Sequence, residues 1–286
     1  DMIVHPALFT HPAPRQVLVI GGGDGGSIRE SVKHPGVELA TLCEIDGLVI
    51  EKSVELLPSM ASDIDGSNPR VKLHVDDGLA YIREHQNEFD VILVDSTDPI
   101  GPGEVLFTDT FYGHAKRALA PDGILVTQNG VPFMQGQELT NTMRAFRALF
   151  ADATCYLASI PTYAGGPMAF GWGTDGAARG VDLATLTARF EAAGIDVESG
   201  QDGRGRQLEQ VPGLAARGGA GVEDALAGGE VHQVRRQLGG RILHAEAPRR
   251  EAGNGFDRRR GLDGERVRRV VELFATVGDA VFVFVR

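Results

Sequence analysis

The chain has 286 residues, 42% of them hydrophobic and 23% charged, a balance that allows a sizeable buried core. Its net charge of −11 arises wholly within residues 1–180, which hold 12 basic and 23 acidic side chains against 16 of each in the remainder. Such a surface repels nucleic-acid phosphates and favours cationic ligands, and no apolar run of about 18 residues is present to span a membrane.

In chain order, residues 16–20 read as a short apolar strand that enters the glycine turn 21–26. Ile28 and Val32 then mark a helix stopped by Pro35-Gly36. Residues 39–44 are a second strand, with Leu48, Val49, Val54 and Leu57 on the helix behind it. Val71, Leu73 and Val75 alternate as a third strand. A buried fourth strand over 91–94 runs into Asp95, and a helix over 109–119 precedes a fifth strand at 123–128. The link between strands at 154–160 and 168–174 is too short for a helical crossover, so these two pair antiparallel. A helix over 182–193 closes the domain. Strands alternating with helices predict an α/β fold: a Rossmann-like, seven-stranded sheet of the class I methyltransferase type, covered by helices on both faces.

The composition changes near residue 196. Residues 197–266 are dominated by Gly, Arg, Ala and Glu with poor periodicity, and are expected to be disordered or loosely packed. A helix over 264–275 and an apolar strand over 280–285 follow. The chain therefore divides into a catalytic domain, 1–196, and an atypical region, 197–286, for which a shifted or fused reading frame is one explanation. Cys43 and Cys155 form neither a disulfide framework nor a four-cysteine zinc site, and the start of the chain lacks the pattern of a signal peptide. A cytoplasmic setting is expected. The histidines show no metal-ligand spacing, so no metal is expected. Ser27 reads as an ordinary first-turn residue, and Met168, Phe170 and Trp172 as strand residues packed in a core.

Four acidic motifs end four strands. Gly21-Gly22-Gly23-Asp24-Gly25-Gly26 lets a ligand approach the backbone at a helix N-terminus. It also satisfies the dinucleotide pattern, with an acid following at Glu44. By itself it fits an NAD enzyme as well as a user of an S-adenosyl compound. Asp24 favours the second, because a carboxylate is a poor neighbour for pyrophosphate and a good one for an ammonium group. Glu44, ending the second strand, is placed to accept both ribose hydroxyls, or simply to face water at a strand terminus. Asp76-Asp77-Gly78 fits an adenine contact, and equally a helix N-cap. Asp95-Ser96-Thr97-Asp98-Pro99-Ile100-Gly101-Pro102 sets two carboxylates three residues apart in a proline-stiffened loop at the edge where ligands sit in open α/β sheets. With Asp24 they would form a pocket suited to a polyamine.

Taken together, these segments resemble the spermidine synthase family of aminopropyltransferases, in its bacterial form, from Asp1 to about Asp196. The similarity rests on VLVIGGGDGGSIRE (17–30), LCEID (42–46), VDDG (75–78), DSTDPIGPGEVLFT (95–108), TQNGVPFMQ (127–135) and IPTYAGGPMAFGWGTD (160–175). The resemblance implies transfer of an aminopropyl group from decarboxylated S-adenosylmethionine, the co-substrate, to putrescine, with no prosthetic group. It implies Asp95 as catalytic base, Asp98 as a ligand of the substrate amine, and Asp24 as the acid that holds the aminopropyl or polyamine nitrogen. Glu44 corresponds to the ribose ligand, Asp77 and Gly78 to the adenine contact, and Pro102 to the wall of the thioadenosine pocket. Tyr163 corresponds to the tyrosine beside the diamine, and Gln128 to the facing position after the fifth strand.

The resemblance also implies a small β-rich domain ahead of residue 1, with a cofactor-contacting Gln and a closing Tyr-His-Glu, which helps to build a homodimer. The family's C-terminal Asn-Pro…His…Ala-Phe-Ala-Leu-Pro pattern has no counterpart after Asp196. Two further readings stand beside the leading one: a putrescine N-methyltransferase on the same scaffold, against which Asp24 argues, and a non-catalytic nucleoside-binding remnant without its lid. An NAD dehydrogenase fits the acidic loop least well.

Overall fold

A computed structural model describes residues 1–160, 166–195, 274–277 and 280–285, all within one compact unit formed by Asp1–Val197 and Glu265–Arg286. Five parallel strands form its centre: β1 (Gln16–Gly21), β2 (Leu39–Glu44), β3 (Val71–Val75), β4 (Phe89–Asp95) and β5 (Leu119–Gln128). β6 (Asp152–Ala158) and β7 (Met168–Thr174) run antiparallel, and the order across the sheet is β3-β2-β1-β4-β5-β7-β6, the expected seven strands. A hairpin of β8 (Phe274–Val277) and β9 (Ala280–Val285) adds two strands along β6. The strand expected at 280–285 is present. At 274–275 the expected helix is replaced by strand, in keeping with the β-branched, aromatic run Phe274–Val277, while the rest of that helix and the expected disorder of 197–266 lie outside the described residues.

The helices are α1 (His5–Thr10), α2 (Gly26–Lys33), α3 (Gly47–Leu56), α4 (Gly78–Arg83), α5 (Asp109–Ala118), α6 (Pro132–Leu149) and α7 (Leu183–Ala193), with a 3-10 turn over Gly101–Phe107. Successive strand residues point to opposite faces, so each central strand feeds two cores. Val17, Val19, Leu42, Val91, Leu93, Val126 and Trp172 meet Ile28 and Val32 of α2 on one face. Leu18, Ile20, Ile92, Val94 and Leu125 meet Ile82 of α4, Phe111 and Tyr112 of α5 and Phe146 of α6 on the other. This double burial explains why the central strands are continuously apolar. Met168, Phe170 and Trp172 are buried as expected, and Tyr156 stacks on Phe170 with ring centroids 5.1 Å apart.

Strand order reverses at β1, which pairs with β2 on one side and β4 on the other. Loops leaving the C-terminal ends of two such strands diverge to opposite faces and leave a crevice between them. The register fixes what borders that crevice. Gly21 pairs with Asp95, Ile20 with Cys43, Glu44 with Val75 and Val94 with Thr127. The glycine loop, Glu44, Asp76-Asp77, Asp95 and Gln128 consequently leave the sheet along one edge.

Candidate active site

A cavity of about 330 Å³ opens at this edge, and Asp24, Ser27, Glu30, Asp95, Gln128 and Phe170 are among the residues that line it. It thus brings together Asp24, Asp95 and Gln128 from the sequence-derived set. Asp24 is exposed in the loop, where one carboxylate oxygen accepts the Gly26 N–H at 2.9 Å. Asp95 is held at the end of β4. A Cβ on Gly22 would lie 3.1 Å from Asp95 Oδ2, so the loop passes the carboxylate closely only because that residue is glycine, whose φ is +66°. Ser27 Oγ donates to the same Oδ2 at 2.6 Å. Burial raises the Asp95 pKa, the Ser27 hydrogen bond opposes that rise, and the Asp24 charge adds to it. A carboxylate raised in this way is a stronger proton acceptor than one in water.

Glu44 is buried and holds the loop from the β2 side, with Oε2 accepting the Gly23 N–H at 3.2 Å and Oε1 the Asp46 N–H at 3.0 Å. A carboxylate has about four acceptor positions, so each oxygen keeps capacity for a hydroxyl donor. Asp46 caps α3 through the Leu48 N–H. Asp77 caps α4 through the N–H groups of Leu79 and Ala80, both to Oδ1, which leaves Oδ2 uncommitted. Capping and ligand binding are therefore compatible at Asp77. Gly78 has a packing reason to be glycine: a Cβ there would stand 2.5 Å from Ile20 Cγ2. Pro102 is exposed at the start of the 3-10 turn. Tyr163 lies outside the described residues.

Asp98 is exposed on the loop after β4 and accepts the Gln135 side-chain amide at 2.7 Å, from Nε2 to Oδ1. Gln135 Oε1 in turn accepts the Val131 N–H at 3.0 Å. This side chain lies over Gly130, where a Cβ would fall 2.1 Å from Gln135 Oε1. On the next turn of α6, burial pushes the Glu138 carboxyl up to about 7, with the Asp98 charge adding to the effect. Buried Asn129 secures the start of α6: it donates to Thr142 Oγ1 and accepts from Thr127 Oγ1 and the Gly171 N–H.

Sequence reasoning missed Ser27, which lines the cavity, and Gln135 and Glu138, which interact with Asp98. Ser27 is no ordinary first-turn residue, because it holds Asp95 across 68 positions of sequence. Gln135 falls within a quoted motif, but its pairing with Asp98 depends on a kink: its φ of −122° and ψ of 33° are non-helical inside α6. Glu138, one turn on, carried no signal of its own.

Behind the cavity, buried His5 bridges His34 at 2.9 Å and Glu30 at 3.1 Å. Hydrogen bonds from His5 and Lys33 hold the Glu30 carboxyl below the usual range against the effect of burial. Burial brings the His34 pKa down to about 3, with His5 adding to the shift. Ligand atoms of Asp1, His5 and Glu30 lie within 4.8 Å of one another, although Lys33 and Arg29 already neutralise Glu30. Burial pushes the Cys43 thiol up to about 12, helped by Asp76 and Asp77, so it stays protonated and inert. No helix among the described residues is long and apolar enough to cross a membrane.

Residues 1–182 match the family model described as the spermine/spermidine synthase domain. A polyamine aminopropyltransferase of Ruegeria sp. (strain TM1040) is 62% identical over 196 residues, covering 68% of this chain and 69% of that protein. Polyamine aminopropyltransferase 1 of Pseudomonas aeruginosa is 48% identical over 196 residues, 68% of each chain. Among solved structures, a spermidine synthase in complex with the transition state analogue AdoDATO aligns with a TM-score of 0.59 at 40% identity, covering 61% of this chain and 59% of that one. The spermidine synthase of Thermotoga maritima aligns with a TM-score of 0.56 at 37% identity, covering 61% and 57%. This chain thus spans about two thirds of these curated relatives and less than two thirds of either solved chain. A doubly covered sheet of this topology, an acidic cavity at its reversal point and similarity across residues 1–182 agree: the chain belongs to the spermine/spermidine synthase family of aminopropyltransferases.

Proposed function

We propose that residues 1–196 transfer the aminopropyl group of decarboxylated S-adenosylmethionine to putrescine, giving spermidine and methylthioadenosine, with Asp95 as the general base. The observation that carries this reading is the pairing of Asp24 and Asp95 in one cavity, Asp95 held at the end of β4 and Asp24 on the glycine loop. Both reactants are cations, and the cavity offers them carboxylates.

The donor lacks the methionine carboxylate, so its amine meets Asp24 without repulsion. Glu44 takes the ribose hydroxyls on its remaining lone pairs, Asp77 the exocyclic adenine amine on Oδ2, and the loop at Pro102 borders the thioadenosine. Asp98, Gln128 and Tyr163 hold the diamine. The sulfonium makes the adjacent propyl carbon electrophilic. One neutral putrescine nitrogen attacks it in line, the carbon–sulfur bond breaks with its electrons going to sulfur, and the new ammonium gives its proton to Asp95. Holding both reactants at attack distance contributes much of the rate, and the base contributes about 100-fold or more.

Mass spectrometry of the purified chain with both substrates tests the reaction. Spermidine and methylthioadenosine are expected together, and Asp95→Asn is expected to reduce turnover by about 100-fold or more while leaving methylthioadenosine affinity unchanged by calorimetry. Near-normal turnover in that variant overturns the role of Asp95. Methylated putrescine from ordinary S-adenosylmethionine would favour the N-methyltransferase reading. Nucleoside binding without product from either donor would favour the non-catalytic one.

A further inference from the structure

A carboxylate that serves as a base works best with one oxygen anchored and the other free for the proton. Asp95 has this arrangement. Its Oδ2 accepts the Ser27 hydroxyl at 2.6 Å, with the Gly22 backbone passing so near that a Cβ there would lie 3.1 Å from it, whereas its Oδ1 has no hydrogen-bond partner among the described residues. Ser27 is itself rigid. It sits in the first turn of α2, only 5% exposed, and its carbonyl accepts Ser31 Oγ at 2.7 Å one turn later. Both Ser27 and Asp95 line the cavity. The glycine loop runs directly into α2, so the segment placed against the co-substrate also carries the hydroxyl that grips the base.

We infer that Ser27 is a positioning residue for aminopropyl transfer: its hydroxyl occupies Oδ2 of Asp95, fixes the carboxylate rotamer and leaves Oδ1 as the atom that receives the proton from the attacking amine. This inference rests on the reading of Asp95 as base.

The hydroxyl donates only to an ionised or acceptor oxygen, so the bond also favours the form of Asp95 that is ready to accept a proton. Asp24 in the glycine loop and Glu44 on β2 both disfavour its ionised form. Arg29 and Glu30 of α2 line the same cavity. Against this mainly acidic surround, Ser27 supplies the one side-chain hydrogen bond to the carboxylate among the described residues.

The test compares the full chain with Ser27→Ala, Ser27→Thr and Asp95→Asn. The first readout is the titration of ¹³C-labelled aspartate carboxyls by NMR, with Asp95 assigned by its loss in Asp95→Asn; it requires no turnover. Ser27→Ala is expected to raise the Asp95 midpoint by about one pH unit, the size expected for removing a hydrogen bond to a charged group. The second readout is kcat and KM across pH. The acid limb of kcat/KM should move upward with the midpoint, and kcat should fall about tenfold, as positioning effects do, while the putrescine KM changes less than twofold. Ser27→Thr, which keeps the hydroxyl, should restore both readouts. An unmoved Asp95 midpoint in Ser27→Ala overturns the inference, and so does a Thr variant as impaired as the Ala one. Near-normal turnover in Asp95→Asn would instead remove the base reading, and the NMR midpoints would still decide whether Ser27 controls the carboxylate.

Discussion

Gln135 controls a carboxylate 37 positions away with a single amide. Its Oε1 satisfies the Val131 N–H at the start of α6, and its Nε2 holds Asp98 on the loop after β4. Asp98 is exposed, so without that amide its side chain and loop would sample many conformations, and a diamine would have to order them on binding. Gln135→Ala should therefore raise the putrescine KM about fivefold, the worth of one modest hydrogen bond, with kcat changed less than twofold. Steady-state kinetics with varied putrescine checks this, and an unchanged KM would show that the amide does not organise the diamine site. At this scale the sequence was partly legible. Glu44 and Asp95 stand out as acids that end strands, and Asp24 and Asp77 as acids in the turns that follow them. Ser27 and Gln135 do not, because a hydroxyl or an amide acquires its meaning only from the partner that folding brings to it.

At the level of elements, the short helix α4 bears directly on the site. It begins at Gly78, capped by Asp77, and its first residue lies against Ile20 of β1, leaving no space for a Cβ. Gly78→Ala should overpack this contact and lower stability by about 1–3 kcal/mol, read as a fall in urea midpoint with an unchanged slope. A variant as stable as the parent would mean that α4 shifts freely on the sheet. The central strands were legible because double burial makes them apolar throughout. α4 was not, since its six residues are too few to show periodicity. α6 was not either, because its first turn exposes Phe133 and Met134, Gln135 breaks its geometry, and its buried face begins only at Thr142. α1 was hidden by its buried polar residue, His5, and by the proline at its start.

For the whole molecule, the excess negative charge lies in residues 1–180, the same segment that carries the proposed site for a small dication. Long-range attraction of this kind fades as salt shortens the Debye length from about 30 Å at 0.01 M to about 3 Å at 1 M. The putrescine KM is therefore expected to rise severalfold, about three- to tenfold, between these ionic strengths, while the affinity for uncharged methylthioadenosine should barely change. Equal salt dependence for both ligands would mean that the acidic surface does not gather substrate.

The register of β1 and β4 has a further consequence. Asp95 is the last residue of β4 and pairs with Gly21 at the centre of the sheet, whereas Asp98 lies three residues farther along, on an exposed loop. Centre and loop open at different free energies, the loop at little cost and the central strands only when the whole domain does. The two carboxylates of one short motif therefore have different lifetimes. As the molecule is warmed, the position of Asp98, the proposed diamine ligand, is expected to loosen first, and that of Asp95, the proposed base, to persist until the sheet itself gives way.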